Sequence, residues 1–213
     1  MSTLSAAVIG TGFIGPVHVE ALQRAGVTVT GMLGSSPEKS RQASERLGLT
    51  AAYASLDELL ADSVVDVVHV TSPNRFHHQQ VSAALQAGKH VICEKPLAMT
   101  SAESADLVRL ARETGRAAAV NYNIRYYPLC TEASQRVRQG TLGRVFHVTG
   151  SYVQDWLLHA TDFNWRVLKA DGGELRAIAD IGTHWLDLVQ YIMGEKVVSV
   201  CADLVTVHPE RQR

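Results

Sequence analysis

A glycine loop near the start of the chain constrains its fold more than any other feature. The sequence GTGFIG, residues 10–15, lies between a short apolar run and a segment with helical spacing. Gly10 allows a tight turn, Gly12 lets a bound group approach the backbone, and Gly15 lets a helix pack closely on a strand. The start of that helix offers unpaired N–H groups to phosphate. The pattern predicts a strand–loop–helix unit that binds a dinucleotide; a tight turn without a ligand is the alternative.

Short apolar runs alternate with amphipathic segments over the first part of the chain. The predicted strands are residues 6–9, 27–33, 64–70, 90–93 and 117–120, and the predicted helices are residues 14–25, 37–47, 56–60, 76–87 and 101–114. Strands that alternate with helices indicate parallel βαβ units. We therefore predict an α/β fold in which residues 1–121 form a doubly wound, dinucleotide-binding Rossmann domain.

The pattern changes in residues 122–213. Helices are predicted at residues 126–138 and 180–193, and strands at residues 145–153 and 197–207. This region is expected to be the start of an α+β domain. Two strands alone make a marginal sheet, because about three strands or a covering helix are needed for independent stability.

Composition excludes several classes of protein. The formal net charge is −1, without the basic stripe of a nucleic-acid binder, and no apolar run reaches the roughly 18 residues of a membrane span. The N-terminus leads directly into the first strand and lacks a signal-peptide pattern. Cys93, Cys130 and Cys201 are far apart and have no zinc spacing. We therefore expect a reduced, cytoplasmic protein without nucleic-acid or membrane partners.

The end of the second predicted strand bears on the choice of dinucleotide. A carboxylate that would bind a ribose 2′-hydroxyl is missing there. Ser35, Ser36 and Lys39 follow instead and are suited to a 2′-phosphate. The loop therefore favours NADP slightly over NAD, although helix capping by the same residues is an alternative.

Polar residues follow two further strands, at the edge where a doubly wound sheet binds its ligands. The segment 71–77 includes Thr71, Pro73, Asn74 and His77, which either line a nicotinamide and its ribose or cap a helix. The next strand runs directly into Glu94, Lys95 and Pro96. A lysine fixed beside a proline at this edge indicates a functional role more than a surface salt bridge.

Asp180 and His184 are four residues apart at the start of a predicted helix, so both are expected on one side of it. A carboxylate that orients an imidazole is a pairing used in general acid–base catalysis. A zinc site needs a further ligand and Asp187 lies off that face, so no metal is predicted. The remaining histidines are interpreted as mostly structural, without a comparable partner: His18, His69, His77, His78 and His90.

These motifs together resemble the glucose-fructose oxidoreductase, inositol dehydrogenase and rhizopine-catabolism (Gfo/Idh/MocA) oxidoreductase family. The resemblance rests on the 10–15 loop, residues 71–77, the run from Gly88 to Pro96, the segment 121–128 and residues 180–184. It implies an NAD(P)-dependent dehydrogenase or reductase that acts on CH–OH groups of a sugar, polyol or related hydroxy compound. In this family Lys95 would bind the reacting oxygen, His184 would exchange its proton, and Asp180 would hold His184 and the substrate.

The resemblance also implies further contacts. Phe13, Ile14, Glu94, Trp165 and Arg166 would contact the cofactor. The substrate pocket would be lined by Tyr122, Asn123, Arg125, Asp155 and Trp156, with core packing as an alternative for the aromatic residues. Family members form homo-oligomers through a large open sheet in the second domain. This chain ends at Arg213, where that sheet has barely begun, so the second domain is expected to be incomplete.

Two other functions fit the same motifs. A dinucleotide-sensing regulator without turnover would not need Lys95, Asp180 and His184 together, so their joint presence argues against it. A lyase or glycosidase that transiently oxidises its substrate with tightly held NAD would use the same residues. Net turnover of free cofactor distinguishes the dehydrogenase from that enzyme.

Overall fold

The structure is a computed structural model that describes residues 4–212. Its internal contacts divide the chain into two compact units, the first ending at Asn121 and the second beginning at Tyr122. Within residues 4–212, no helix has the length and apolar character needed to span a bilayer.

The first unit is a parallel sheet covered by helices on both faces. Its strands, as far as the structure describes the chain, are β1 (Ser5–Ile9), β2 (Thr28–Leu33), β3 (Ala51–Tyr53), β4 (Val67–Val70), β5 (His90–Glu94) and β6 (Ala118–Asn121). They pair in the order β3-β2-β1-β4-β5-β6, and every pair is parallel. The helices are α1 (Ile14–Arg24), α2 (Pro37–Arg46), α3 (Leu56–Ala61), α4 (His77–Gln86), which follows a 3₁₀ turn at Asn74–Phe76, and α5 (Ser101–Thr114).

Two apolar clusters hold this sheet between its helices. Val68, Leu85 and Leu107 belong to the larger cluster, which joins β4 to α4 and α5. Val19 and Met32 belong to the smaller cluster, which joins α1 to β2. Because both faces are covered, successive residues of β1 and β2 are buried instead of alternate ones, as expected of parallel sheets.

The doubly wound α/β fold predicted from the sequence is confirmed. All the strands and helices predicted before residue 121 are present with small shifts at their ends. Sequence reasoning missed β3, a three-residue edge strand that contains two alanines. Alanine has low strand propensity and so short a segment shows no alternation, which leaves β3 without a sequence signal.

The second unit consists of helices joined by irregular segments. Its helical segments are a 3₁₀ turn at Asn123–Tyr126, α6 (Pro128–Arg138), a 3₁₀ turn at Trp165–Val167, α7 (Lys169–Gly172), a π-helical segment at Ile178–Gly182 and α8 (Thr183–Met193). The Ser134 hydroxyl on α6 donates to the carbonyl of Tyr191 on α8, 3.0 Å away.

The strands predicted at residues 145–153 and 197–207 are wrong. Neither segment forms a strand with any other part of the described chain. Several of their apolar side chains are largely exposed, with Phe146 82% exposed and Val198 96% exposed. Alternating apolar residues predict a strand only where a neighbouring strand supplies backbone hydrogen bonds, and within residues 4–212 no strand pairs with either segment.

The loop between β1 and α1 depends on two glycines. Gly10 has φ +108°, a left-handed conformation that side chains disfavour, and its N–H donates to the carbonyl of Leu33 at 2.8 Å. A Cβ on Gly15 would overlap the carbonyl oxygen of Gly10 and reach 3.0 Å from Cε of Met32. Helix α1 therefore approaches the loop as closely as only glycine allows.

We expect Gly15→Ala to destabilise the protein. Alanine is the better helix former by about 1 kcal/mol. The overlap with the Gly10 carbonyl should outweigh that gain and lower the free energy of unfolding by roughly 1–3 kcal/mol. Urea unfolding followed by circular dichroism measures the difference.

Gly12→Ala is the matched control. Among residues 4–212 no atom would lie within 4 Å of its added Cβ, so its free energy of unfolding should change by less than about 0.5 kcal/mol. Equal stability of the two variants would contradict the close contact at Gly15.

Candidate functional site

The carboxyl ends of the parallel strands bring the predicted cofactor residues to one edge of the first unit. Strands β1, β4 and β5 are neighbours in the sheet, and their ends lead into the glycine loop, Thr71 and Glu94. The Thr71 hydroxyl donates to the carbonyl of Ile9 at 2.8 Å, which ties the end of β4 to the glycine loop. This edge is where doubly wound sheets bind ligands.

The start of α1 fits a dinucleotide pyrophosphate. In the described chain, Phe13 precedes the helix without a side-chain cap, and the first turn carries no acidic residue. The N–H groups and positive dipole of this turn are therefore suited to an anion. The space beside Gly12 is open, and Phe13 is 90% exposed. Ile14 begins the helix itself.

The end of β2 carries the residues predicted to select the cofactor. Ser36 caps α2, its hydroxyl accepting from the backbone N–H of Lys39 at 3.3 Å. The Lys39 ammonium donates to the Ser35 hydroxyl at 3.1 Å, and both side chains are accessible. Arg41 is ion-paired with Glu38 on the surface of α2. A hydroxyl and an ammonium are thus held together at a helix start, a suitable arrangement for a phosphate.

The segment after β4 contacts the turn that follows β5. His77 is 1% exposed, and its Nδ1 and Nε2 lie 2.8 Å from the carbonyl oxygens of Pro96 and Ser72. Burial holds the pKa of His77 below its usual value, and hydrogen bonding to these carbonyls opposes that shift. Asn74 is also buried, and Pro73 leads into its 3₁₀ turn. A neutral His77 ring has one N–H, which donates to one of these two carbonyl oxygens.

The Glu94–Lys95–Pro96 turn is fixed by its glutamate. The Glu94 carboxylate accepts from the Asn121 amide at 2.6 Å and lies 3.0 Å from Nε2 of His18. Its second oxygen accepts from the backbone N–H of Lys95 at 3.3 Å. The peptide bond between Lys95 and Pro96 is cis. Burial raises the pKa of Glu94, but the bonds to His18 and Asn121 outweigh burial and hold its pKa below the usual value.

His18 and His69 extend this network under the sheet edge. The two Nδ1 atoms are 2.8 Å apart, and the rings meet edge to face. Burial, together with the neighbouring His18, lowers the pKa of His69 to about 4. The interpretation of these histidines as residues without a comparable partner is wrong. His78 also has a partner, the Asp106 carboxylate, and His90 accepts from the backbone N–H of Ala117.

In the second unit, Asp180 lies in a π-helical segment. The backbone N–H of Thr183 reaches the carbonyl of Ile178, five residues earlier. The turn is therefore wider than an α-helical one, and a four-residue spacing does not by itself place Asp180 and His184 on one side. Asp180 forms an ion pair with Arg166, whose Nε is 3.3 Å from its carboxylate. Sequence reasoning had not paired these two residues.

His184 is enclosed by aromatic rings of the same unit. It is 8% exposed, and its ring meets those of Tyr122 and Tyr152 edge to face at centroid distances of 5.8 and 6.1 Å. The Arg166 guanidinium stacks over Trp165 at 4.6 Å and over Trp156 at 5.8 Å. Aromatic rings thus surround both the imidazole and the Arg166–Asp180 pair.

The other predicted substrate residues have different surroundings. Arg125 is ion-paired with Asp187 and stacks over the Tyr191 ring at 5.1 Å. Because the guanidinium is bound in this way, Arg125 joins the first 3₁₀ turn of the unit to α8. Asn123 is exposed at the start of that turn, and Asp155 lies in an exposed irregular segment.

Sequence reasoning missed His18, Asn121 and Asp187 as partners of predicted site residues. One signal existed for His18, which is three residues after Gly15 and so lies on the same face of α1. Both residues are buried. No spacing rule links Asn121 to Glu94 or Asp187 to Arg125, because those contacts depend on strand neighbours and on helix packing.

Comparisons with known proteins agree with this architecture. Residues 4–122 match the Gfo/Idh/MocA family model, described as "Oxidoreductase family, NAD-binding Rossmann fold", and residues 130–213 match its C-terminal domain. The chain is 32% identical to levoglucosan dehydrogenase of Pseudarthrobacter phenanthrenivorans, over 99% of this chain and 56% of the relative. It is 33% identical to myo-inositol 2-dehydrogenase of Thermotoga maritima, over 92% of this chain and 57% of the relative.

A solved structure gives the same result. Levoglucosan dehydrogenase in complex with NADH and levoglucosan superposes with a TM-score of 0.85 and 30% identity, over 91% of this chain and 54% of that one. The chain spans about half the length of the relatives it matches. The glycine loop, the Glu94–Lys95–Pro96 turn and these matches confirm the resemblance seen in the sequence: the chain belongs to the Gfo/Idh/MocA family of oxidoreductases, with an NAD-binding Rossmann fold.

Proposed function

We propose that this protein transfers hydride between a nicotinamide dinucleotide and a hydroxyl-bearing carbon of a sugar or polyol. The observation that carries the proposal is the fixed Glu94–Lys95–Pro96 turn, at the same sheet edge as the glycine loop. A dinucleotide-sensing protein would need the loop alone. A lysine held rigidly at this edge is expected where negative charge develops on a substrate oxygen.

The first unit would hold the cofactor and the reacting oxygen. The start of α1 would bind the pyrophosphate, and Thr71, Pro73 and Asn74 would line the nicotinamide side of the edge. When bound, the nicotinamide supplies or accepts the hydride. The Lys95 ammonium would bind the substrate oxygen and stabilise its negative charge as the proton leaves or arrives.

The second unit would supply the proton exchange. His184 would take the hydroxyl proton during oxidation and return it during reduction, as an imidazole in a general acid–base role. The edge-to-face contacts with Tyr122 and Tyr152 would fix the orientation of its ring. The Asp180 carboxylate, held by Arg166, would position the substrate and stabilise the charged imidazole.

The substrate class is supported by what the relatives are named for. Levoglucosan and myo-inositol, in the names of two of them, are a sugar derivative and a polyol. Asn123 and Asp155, both accessible in the second unit, are the proposed hydroxyl-binding residues. A cytoplasmic location and a homo-oligomeric state remain predictions from the sequence and the resemblance.

We expect Lys95→Met to lower turnover by about 10²–10³-fold, because one charge-stabilising donor is lost at the reacting oxygen. Affinity for the dinucleotide should stay within a few-fold, since the pyrophosphate contacts are unchanged. A panel of sugars and polyols with NAD and NADP, followed by nicotinamide absorbance, measures turnover. Calorimetry measures cofactor affinity.

Lys169→Met is the matched control, because Lys169 pairs with Glu174 on the surface and its removal changes the net charge equally. Turnover of the control should equal that of the wild type. Undiminished turnover in Lys95→Met would exclude the proposed role of Lys95. Accumulation of reduced free cofactor would separate a dehydrogenase from a lyase that returns the hydride to its substrate.

We further propose that the protein accepts both dinucleotides, with NADP slightly favoured. The proposal rests on the Ser35 hydroxyl and Lys39 ammonium, which follow a strand, β2, that ends without a carboxylate. The Glu38 carboxylate in the first turn of α2 is paired with Arg41. The NADH in the levoglucosan dehydrogenase complex belongs to that relative. Family membership supports NAD binding, and the preference between the two cofactors is open to measurement.

We expect Ser35→Asp to shift the ratio of the Kd values for NADP and NAD toward NAD by at least about tenfold, or about 1.4 kcal/mol. An introduced carboxylate repels the 2′-phosphate and can accept from a ribose hydroxyl. Gly34 is a poor position for this change, because a Cβ there would lie 3.0 Å from both Cβ of Lys39 and the backbone nitrogen of Ser40.

Ser63→Asp is the control for added charge, since Ser63 lies before β4 at the opposite edge of the sheet. Its ratio of Kd values should match that of the wild type. A wild-type protein that strongly prefers NAD, or a Ser35→Asp variant with an unchanged ratio, would contradict the proposed phosphate site.

A further inference from the structure

Three strands and one helix contribute to a buried polar chain beneath the lysine turn. The chain consists of His69 on β4, His18 on α1 and Glu94 on β5. Nδ1 of His69 lies 2.8 Å from Nδ1 of His18, and Nε2 of His18 lies 3.0 Å from the Glu94 carboxylate. Asn121 of β6 donates to the same Glu94 oxygen at 2.6 Å. His18 and His69 are each 6% exposed. Such a chain is tolerated in a core only where its protons are well placed.

The contacts fix which nitrogens carry protons. Nε2 of His18 lies 3.0 Å from the Glu94 carboxylate and 3.2 Å from the Asn121 amide nitrogen, which itself donates to Glu94 at 2.6 Å. A carboxylate only accepts, so the shorter contact assigns the proton on Nε2 of His18 to a bond with Glu94. A neutral His18 then accepts at Nδ1, and His69 must donate from its own Nδ1. Nε2 of His69 is buried without a hydrogen-bond partner among residues 4–212, which suits a bare lone pair better than an N–H. Protonating either ring would place an unsatisfied N–H at that position.

Other charged and titratable groups face this chain. The Lys95 charge acts on Glu94 and favours its ionised form. Cys93, which precedes Glu94, is buried, and burial raises the pKa of its thiol. Nδ1 of His77 lies 2.8 Å from the carbonyl oxygen of Pro96 in the same turn. Of these groups, Glu94 alone bonds directly to His18.

The chain of contacts ends at the backbone of Lys95. The Glu94 oxygen that is not bonded to His18 accepts the N–H of Lys95 at 3.3 Å. Rotation of the carboxylate away from His18 would break that bond as well. Nδ1 of His77 lies 2.8 Å from the carbonyl oxygen of Pro96, so a second element contacts the turn independently of Glu94.

We propose that His18 and His69 are positioning residues for Lys95. The N–H of His69 donates to His18 and fixes the orientation of the His18 ring. The His18 ring then fixes the Glu94 carboxylate, which holds the backbone N–H of Lys95 in the lysine turn. Neither imidazole would contact the substrate or the cofactor. The catalytic consequence of this device rests on the proposed function of Lys95, whereas the proton arrangement and the locking of the turn do not.

Histidine-ring NMR on the full 213-residue chain tests the proton arrangement directly. We expect the Nε2–H tautomer for His18 and the Nδ1–H tautomer for His69 at neutral pH. A charged His18 ring at neutral pH, or the opposite pair of tautomers, would overturn the proposal.

A matched pair of variants tests the locking of the turn. The side-chain NH₂ of His69→Asn occupies nearly the position of the ring Nδ1 and keeps the donor, whereas His69→Leu removes it. Hydrogen exchange at the Lys95 amide should accelerate by about tenfold or more in His69→Leu and stay within about threefold of wild type in His69→Asn. His78→Leu, which removes a surface histidine bonded to Asp106, should leave this exchange unchanged.

Thermal unfolding shows which variants remain folded. If His69→Leu fails to fold, the wild-type tautomers and the exchange rate in His69→Asn still decide the proposal. Equal Lys95 exchange in folded His69→Leu and His69→Asn would overturn it. A wild-type protein without dehydrogenase activity would contradict the proposed function but leave these two measurements valid.

Discussion

The close approach of α1 to the loop after β1 is the constraint on which both the cofactor edge and its supporting network depend. Only a glycine at position 15 lets the helix reach the Gly10 carbonyl. That approach orients the first turn of α1 toward the sheet edge. It also brings His18, one turn later, to within hydrogen-bond distance of His69 and Glu94. The glycine pattern therefore positions side chains as well as phosphate-binding N–H groups.

Polar side chains are buried at this edge with their hydrogen bonds largely satisfied. A buried carboxylate is strongly destabilising unless donors surround it. Glu94 receives three, from Asn121, His18 and the Lys95 backbone. The same donors restrict the rotation of the carboxylate. The hydrogen bonds that stabilise the Glu94 charge therefore also make the lysine turn rigid. His77 contributes a second restraint through backbone carbonyls on both sides of its ring.

Local periodicity was enough to predict the first unit except β3, because apolar runs and helix caps are properties of neighbouring residues. Ser36, for example, caps α2, one of the alternatives that its sequence position indicated. Long-range contacts were not predictable in this way. The partners of His18 are 51 and 76 residues away, and residues 145–153 have the alternation of a strand but no neighbour to pair with among residues 4–212. Sequence spacing also assumed an α-helical turn around Asp180.

The π-helical turn at Ile178–Gly182 contains one residue more than an α-helical turn. Its five-residue hydrogen bond takes up the extra residue within one turn, so the helix on either side keeps the phase of a continuous α-helix. Deleting a single residue between Asp180 and His184 would restore a regular α-helix without reorienting α8, but would leave the carboxylate and the imidazole three residues apart. The length of this turn, and not only the identity of the two residues, therefore sets the geometry between carboxylate and imidazole. An alignment with one gap at this point would keep the residues before and after the turn in register.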